Sequence, residues 1–254
     1  MKIILKKILF VFMLIGSAYL PKASYAQELI VAIDDFPPWN ITTSEPISGI
    51  NVDILTELSQ RLDLQLSFIK CPWKRCLKMM RSGQVDIIPG LLKRAEREEY
   101  MEYINPPYKE ESTKAFYVHR GKEQLISKYQ DLYKLNVGVV AGNKYFLPFD
   151  EDQKIIKQAA NSELQQLRML EKRRVHTFVG TASQIDYLII AEGLQHKFVK
   201  ADYKYNEKIN VHLAVSKKSK FANEISQFDA QIQKMKAEGV IDKIITDFYK
   251  NIQK

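Results

Sequence analysis

The sequence predicts an α/β fold in two lobes. Strand-like apolar runs at 28–34, 64–69, 85–88 and 136–141 alternate with stretches whose apolar residues recur at helical spacing. That alternation occurs twice, with lobe 1 expected over 27–117 and lobe 2 over 118–213. Two further runs, near 115–119 and 212–216, read as strands joining the halves, and 214–254 returns to lobe 1 as C-terminal helices.

In order, 28–34 (ELIVAID) is a buried strand broken by Pro37-Pro38-Trp39. The turn holding Phe36 and Trp39 lies just beyond the carboxyl end of that strand, where open α/β sheets bind ligands. A plug for the lobe is the competing reading for both aromatics, and the preferred one for Trp39. Val52, Ile54, Leu55, Leu58 and Leu62 form one face of a helix, and 64–69 alternates as a strand. Trp73, Cys76, Leu77 and Met80 mark the inner stripe of a short helix that stops at Gly83. Pro89 and Gly90 are expected to end regular structure after the strand at 85–88. A charged turn with Arg94 and Arg97 follows, and a strand resumes at 114–119.

In the second half, the strand at 136–141 runs into Gly142, Asn143, Lys144 and Tyr145, a turn that exposes backbone N–H groups to an anion. It lacks the Gly-Lys-Ser/Thr ending of a phosphate loop. Ser162 and Gln165 form a capping-box pattern, and 173–189 reads as strand, loop and helix, with His176 packed in the strand and Asp186 at the surface. Phe221, Ile225, Phe228, Ile232 and Met235 line a helix ending at Gly239, and a last helix follows.

Lys2, Lys6 and Lys7 precede an apolar run from 8 to 20 and a stretch ending Ser24-Tyr25-Ala26. This predicts a secretory signal over 1–26 cleaved after Ala26, with an uncleaved anchor as the alternative. The full chain has net charge +8, and four of its lysines lie in that segment, which leaves +4. Scattered charges of that size do not predict nucleic-acid binding. The composition, 46% hydrophobic, allows a sizeable core. Cys71 and Cys76 fit neither a two-residue redox spacing nor a zinc site, so an exported chain predicts a disulfide, with free thiols as the alternative. Neither a cofactor nor a metal is expected.

The segment 83–108, GQVDIIPGLLKRAEREEYMEYINPPY, carries a resemblance. Its Gly83, Val85-Asp86, Glu96-Arg97, Tyr103 and Pro106-Pro107-Tyr108 are similar to the core of the bacterial extracellular solute-binding proteins of family 3. These are periplasmic receptors typified by polar amino-acid transport. Gly49 before Val52-Asp53-Ile54-Leu55 is a second such motif, and Trp73 stands thirteen residues before Asp86 as the family's second stacking aromatic does. The resemblance implies a type II periplasmic-binding-protein fold with two hinge strands. It implies that Phe36 and Trp73 sandwich a solute and that Arg97 grips its carboxylate with a planar fork of donors. Backbone groups near Gly90 and Leu92, and at Gly142, Asn143, Lys144 and Tyr145, would complete the grip. Near Thr181 the family places an aspartate for an α-ammonium. Threonine cannot compensate that charge, so ordinary α-amino acids rank behind other small anionic or polar solutes.

The resemblance implies a monomer in the periplasm that delivers its solute to the membrane permease of an ABC transporter. A ligand-sensing adaptor for a sensor kinase is the alternative. A dehydratase-like enzyme on the same fold is a further one, and no acid or base pairing in the sequence supports it.

Overall fold

The computed structural model describes residues 27–43 and 45–252; the expected signal segment lies outside them. The chain forms a nine-stranded mixed sheet flanked by helices. Strand β1 (Gln27–Ile33) leads through helix α1 (Ile50–Arg61) to β2 (Leu64–Lys70), and α2 (Trp73–Ser82) leads to β3 (Ile87–Leu92). A one-turn helix α3 (Ala95–Glu98) and a short β4 (Met101–Tyr103) precede β5 (Lys109–His119). Then come β6 (Asn136–Val140), β7 (Ile156–Ala160), α4 (Glu163–Glu171), β8 (Thr177–Thr181) and α5 (Ala182–Ala191). The long β9 (Phe198–Ser216) returns the chain to α6 (Ile225–Ala237) and α7 (Val240–Ile252).

The sheet order is β2-β1-β3-β9-β5-β8-β6-β7, with β4 also on β9. Parallel pairs lie at both ends, and the antiparallel pair β5–β9 stands between them. Two buried clusters draw on residues 29–108 and on the chain from 211 onward; two others lie within 115–205. The hydrophobic core therefore changes hands along β5 and β9, a few residues before the joining strands expected near 115–119 and 212–216.

Regular structure does not end at Pro89. Strand β3 passes through it, and its register on β9 slips between Ile88 and Leu91. A bulge tolerates a proline, which has no N–H to give the ladder, and Gly90 takes φ 81°, open to glycine at little cost. Cys71, just before α2, and Cys76, within it, are bridged; their Cα atoms lie 5.4 Å apart, inside the range that a disulfide spans. Ser162 caps α4 by accepting from Gln165 N, while Gln165 Oε1 reaches Asn161 N rather than closing the box on Ser162. His176 is exposed, not packed: it stands just before β8, where its Nδ1 accepts from Asn136 N at the start of β6. Asp186 is half-buried rather than superficial: Tyr117 donates to it from β5 and Lys200 from β9.

Helix α1 has no side-chain cap. Its first N–H groups go instead to the turn after β1: Ile50 N donates to Pro38 O (3.1 Å) and Asn51 N to Trp39 O (2.9 Å). The close approach needs Gly49, at φ 124°, where an added Cβ would stand 2.6 Å from Trp39 O. The atoms it would meet, Trp39 O, Trp39 C and Pro38 O, are all backbone, so none can swing aside. Gly49→Ala is expected to destabilise the fold by about 2–4 kcal/mol, from positive-φ strain and the collision together. Urea denaturation checks this; a variant within about 0.5 kcal/mol of the parent would show that the turn is not docked this way.

Candidate functional site

A cavity of about 370 Å³ opens where the core changes lobes. From the first lobe it is lined by Asp34, Phe36, Trp39, Asn40, Asn51, Trp73, Pro89, Gly90, Leu92 and Tyr108, and from the second by Thr181, Ser183 and Gln184. Lys109, Ser112 and Lys114 of β5 and Ile209 and Val211 of β9 line it as well. Its position at the carboxyl ends of β1 and β3 is the one that an α/β sheet favours for ligands.

The first-lobe wall is a chain of hydrogen bonds. Tyr108 donates to Asn51 Oδ1 (2.8 Å), Asn51 Nδ2 to Asn40 Oδ1 (2.9 Å), and Asn40 Nδ2 to Asp34 Oδ1 (3.2 Å). Asn40, Asn51 and Tyr108 are buried, so an unmatched amide there would be costly. Burial pushes the Tyr108 hydroxyl well above its ordinary value, against hydrogen bonds from the Gly90 backbone and Asn51. Burial also raises the Asp34 carboxyl, outweighing the hydrogen bonds from its own backbone and Asn40. Asp34 is the only carboxylate on the cavity lining.

The aromatics divide by depth. Phe36 is 48% exposed and free to meet a solute, and Trp73, also on the lining, is half-buried. Trp39 is 7% exposed, so it does fill the lobe, yet one face of its ring remains a wall of the cavity. Its Nε1 reaches Ser183 Oγ in the second lobe at 3.4 Å, and Tyr249 of α7 donates to Ser183 O at 2.9 Å.

Two lysines occupy the floor. Lys109 Nζ lies 4.3 Å from the centre of the Trp39 ring, a cation–π contact. Lys114 Nζ donates to Thr181 Oγ1 at 2.9 Å. Among the described residues neither lysine forms an ion pair. Burial, then the Lys114 charge, lowers the Lys109 ammonium to about 8. Burial lowers Lys114 as well, against the charges of Glu207 and Asp150. Sequence reasoning missed both. Five residues apart, they would face opposite ways on a regular strand, and the pairing of β5 with β9 is irregular beside Lys109, where two steps on β5 meet three on β9.

The sequence-derived site is divided by the structure. Phe36, Trp73, Gly90, Leu92 and Thr181 meet on one cavity. Arg97 stands at its edge: the guanidinium lies 5.6 Å from the Trp73 ring centre, and Nη1 donates to Leu92 O at 3.3 Å. Gly142, Asn143 and Lys144 are exposed and off the lining. Tyr145 is turned into the second-lobe core, where its hydroxyl accepts from Val140 N, so its ring is not offered to the cavity. Asn40, Asn51 and Ser112 gave no sequence signal, because nothing in a lone sequence separates a buried amide or hydroxyl from an exposed one.

Because the folded protein holds the Lys109 value below its ordinary 10.5, the charged lysine opposes folding at pH 7. That penalty is relieved as pH rises through about 8. Lys109→Met is therefore expected to raise the melting temperature at pH 7 by a few degrees, on the order of 2–4 °C per kcal/mol relieved, and the gain should shrink towards pH 10.5. Asp34 and Lys114 face the same space and stay unchanged in the comparison. Paired thermal melts across that range decide it, and a gain constant with pH would place the ammonium in water.

The family model for bacterial extracellular solute-binding proteins, family 3, matches residues 29–251. The L-cystine-binding protein TcyA of Bacillus subtilis is 21% identical over 203 residues, 79% of this chain and 72% of that one. Among solved structures, substrate-binding domain 2 of Lactococcus lactis GlnP in an open conformation superposes with a TM-score of 0.74 at 18% identity, covering 89% of this chain and 96% of that one. The unliganded open L-cystine solute receptor of Neisseria gonorrhoeae gives 0.68 at 16% identity, covering 88% and 93%. The match extends through both lobes and every element lining the cavity, so the chain belongs to the bacterial extracellular solute-binding proteins of family 3 and is a two-lobed solute-binding protein.

Proposed function

We propose that this protein is exported, captures a small solute in the cavity between its lobes and delivers it to the permease of an ABC transporter. The observation that carries the reading is a single cavity with walls from both lobes and a floor from the two strands that join them. A ligand that touches both walls favours closure by its contacts with each. The hinge lies at about 109–114 in β5 and 206–210 in β9, where the buried clusters change sides. A leader over 1–26 with cleavage after Ala26 fits a family described as extracellular.

Phe36 and Trp73 hold the solute's carbon skeleton, and Arg97 turns from Leu92 O to its carboxylate. Main-chain groups of Gly90 and Leu92 assist. The turn at 142–144 stands off the cavity and would join the grip only on closure. Two matched structures are described as open forms, which supports that order of events. Relatives named for L-cystine and for L-arginine show that such clefts serve unlike solutes, so they support a small solute without naming this one.

A thermal-shift screen with small acids, amino acids and amines tests the reading, since a bound solute raises the melting temperature by mass action. For a carboxylate hit, Arg97→Ala is expected to weaken binding about tenfold to a hundredfold, the worth of a charged hydrogen-bonded contact, with the unliganded melting temperature unchanged. Equal binding by the variant would remove Arg97 from the site. A protein stabilised by none of the solutes would sink the capture reading itself.

A further inference from the structure

We infer that the cavity is built for a small dicarboxylate without an ammonium group, one acid of which pairs with Lys109 and Lys114. The inference rests on the solute-binding reading and specifies its ligand. The cavity floor presents two ammonium groups whose polar or π partners among the described residues are neutral: the Thr181 hydroxyl for Lys114 and the Trp39 ring face for Lys109. Glu207 and Asp150 act on Lys114, but neither pairs with it in a salt bridge. Half-buried cations without a counter-ion are unfavourable in the empty protein, and they repel each other. An anion between them removes both penalties at once.

The rest of the lining points the same way. Asn40, Asn51, Ser112, Thr181, Ser183 and Gln184 are neutral. Asp34, the one carboxylate, already accepts from Asn40 and is pushed towards its neutral form by burial. A solute ammonium near Thr181 would meet Lys114, not a carboxylate. The lining thus carries two cations against one hindered acid, and Arg97 adds a third at the rim beside Trp73. A single carboxylate satisfies only one end of that arrangement, and two satisfy both.

Isothermal titration of the purified protein separates the possibilities, using succinate and glutarate against glutamate, arginine and L-cystine. Glutarate and glutamate share a skeleton and differ by the ammonium. The expected result is binding of a diacid at least about tenfold tighter than glutamate. Lys114→Gln and Lys109→Met should each weaken it by about tenfold or more, and Lys114→Arg should restore much of the loss. Tighter binding of glutamate, arginine or cystine than of either diacid overturns the inference and leaves solute capture standing, with Asp34 then the acceptor for an ammonium. Charge-removing variants that bind a diacid like the parent also overturn it. Failure of the unaltered protein to bind any of the five overturns the inference, and failure across the wider thermal-shift screen takes the capture reading with it.

Discussion

The antiparallel pairing of β5 with β9 is the constraint from which the cavity follows. The two strands stay in register contact from Lys109↔Val211 to His119↔Phe198, with slips between Lys109 and Glu111 and between Ala115 and Tyr117. Their ladder satisfies backbone groups through a stretch where neither lobe's core covers them; Glu111 and Glu207 are exposed there. A two-stranded ribbon can leave one core and enter the next with its amides paired across the ladder. A ribbon is also thin enough to flex. The floor of the cavity is therefore the same backbone that connects the lobes, and a solute resting on Lys109 or Lys114 touches the element that bends.

The first lobe meets that floor with a prearranged wall. The turn after β1 is clamped onto the first N–H groups of α1, which sets Trp39 and Asn40 at fixed positions. Asn40, Asn51 and Tyr108 then satisfy one another in a buried line ending at Asp34. Such a network resists deformation because breaking any link strands a buried polar atom. The second-lobe wall is different in kind: the N-terminal turn of α5, with Thr181 and Ser183 offering hydroxyls. A rigid amide wall facing a hydroxyl-bearing helix end suits a solute that is oriented by the first lobe and closed on by the second.

Most of the fold was legible because its strands are apolar runs and its helices are amphipathic. What escaped notice shares a physical reason. Strand β7 is an exposed edge, reading IKQAA, and the first half of β9 is a polar ribbon. Neither buries a continuous face, so neither leaves an apolar period. At the site, aromatic and glycine landmarks such as Phe36, Trp73 and Gly90 could be placed by spacing, since they hold fixed positions relative to strand ends. Lys109 and Lys114 could not, because residues five apart on a regular strand face opposite ways, and the irregular pairing with β9 beside Lys109 has no signature in a lone sequence. Tyr145, expected with the backbone grip of the glycine turn, has its ring in the second-lobe core.

The unpaired lysines separate a requirement of folding from a requirement of function. Every other half-buried charge in the neighbourhood has an answer within the protein; Asp186, for one, takes both Tyr117 and Lys200. A methionine or glutamine in place of either lysine would leave the sheet pairing intact and spare the unliganded protein a desolvated charge. Two half-buried cations on one cavity, without an ion-pair partner among the described residues, are the mark of a site whose energetics are completed by something from outside. Lysine rather than arginine at the floor fits that account. A compact ammonium on a flexible stem can rest on the Trp39 face while the cavity is empty and lift to an anion when one arrives, whereas the planar guanidinium of Arg97 suits the rim, where it lies over the Trp73 ring.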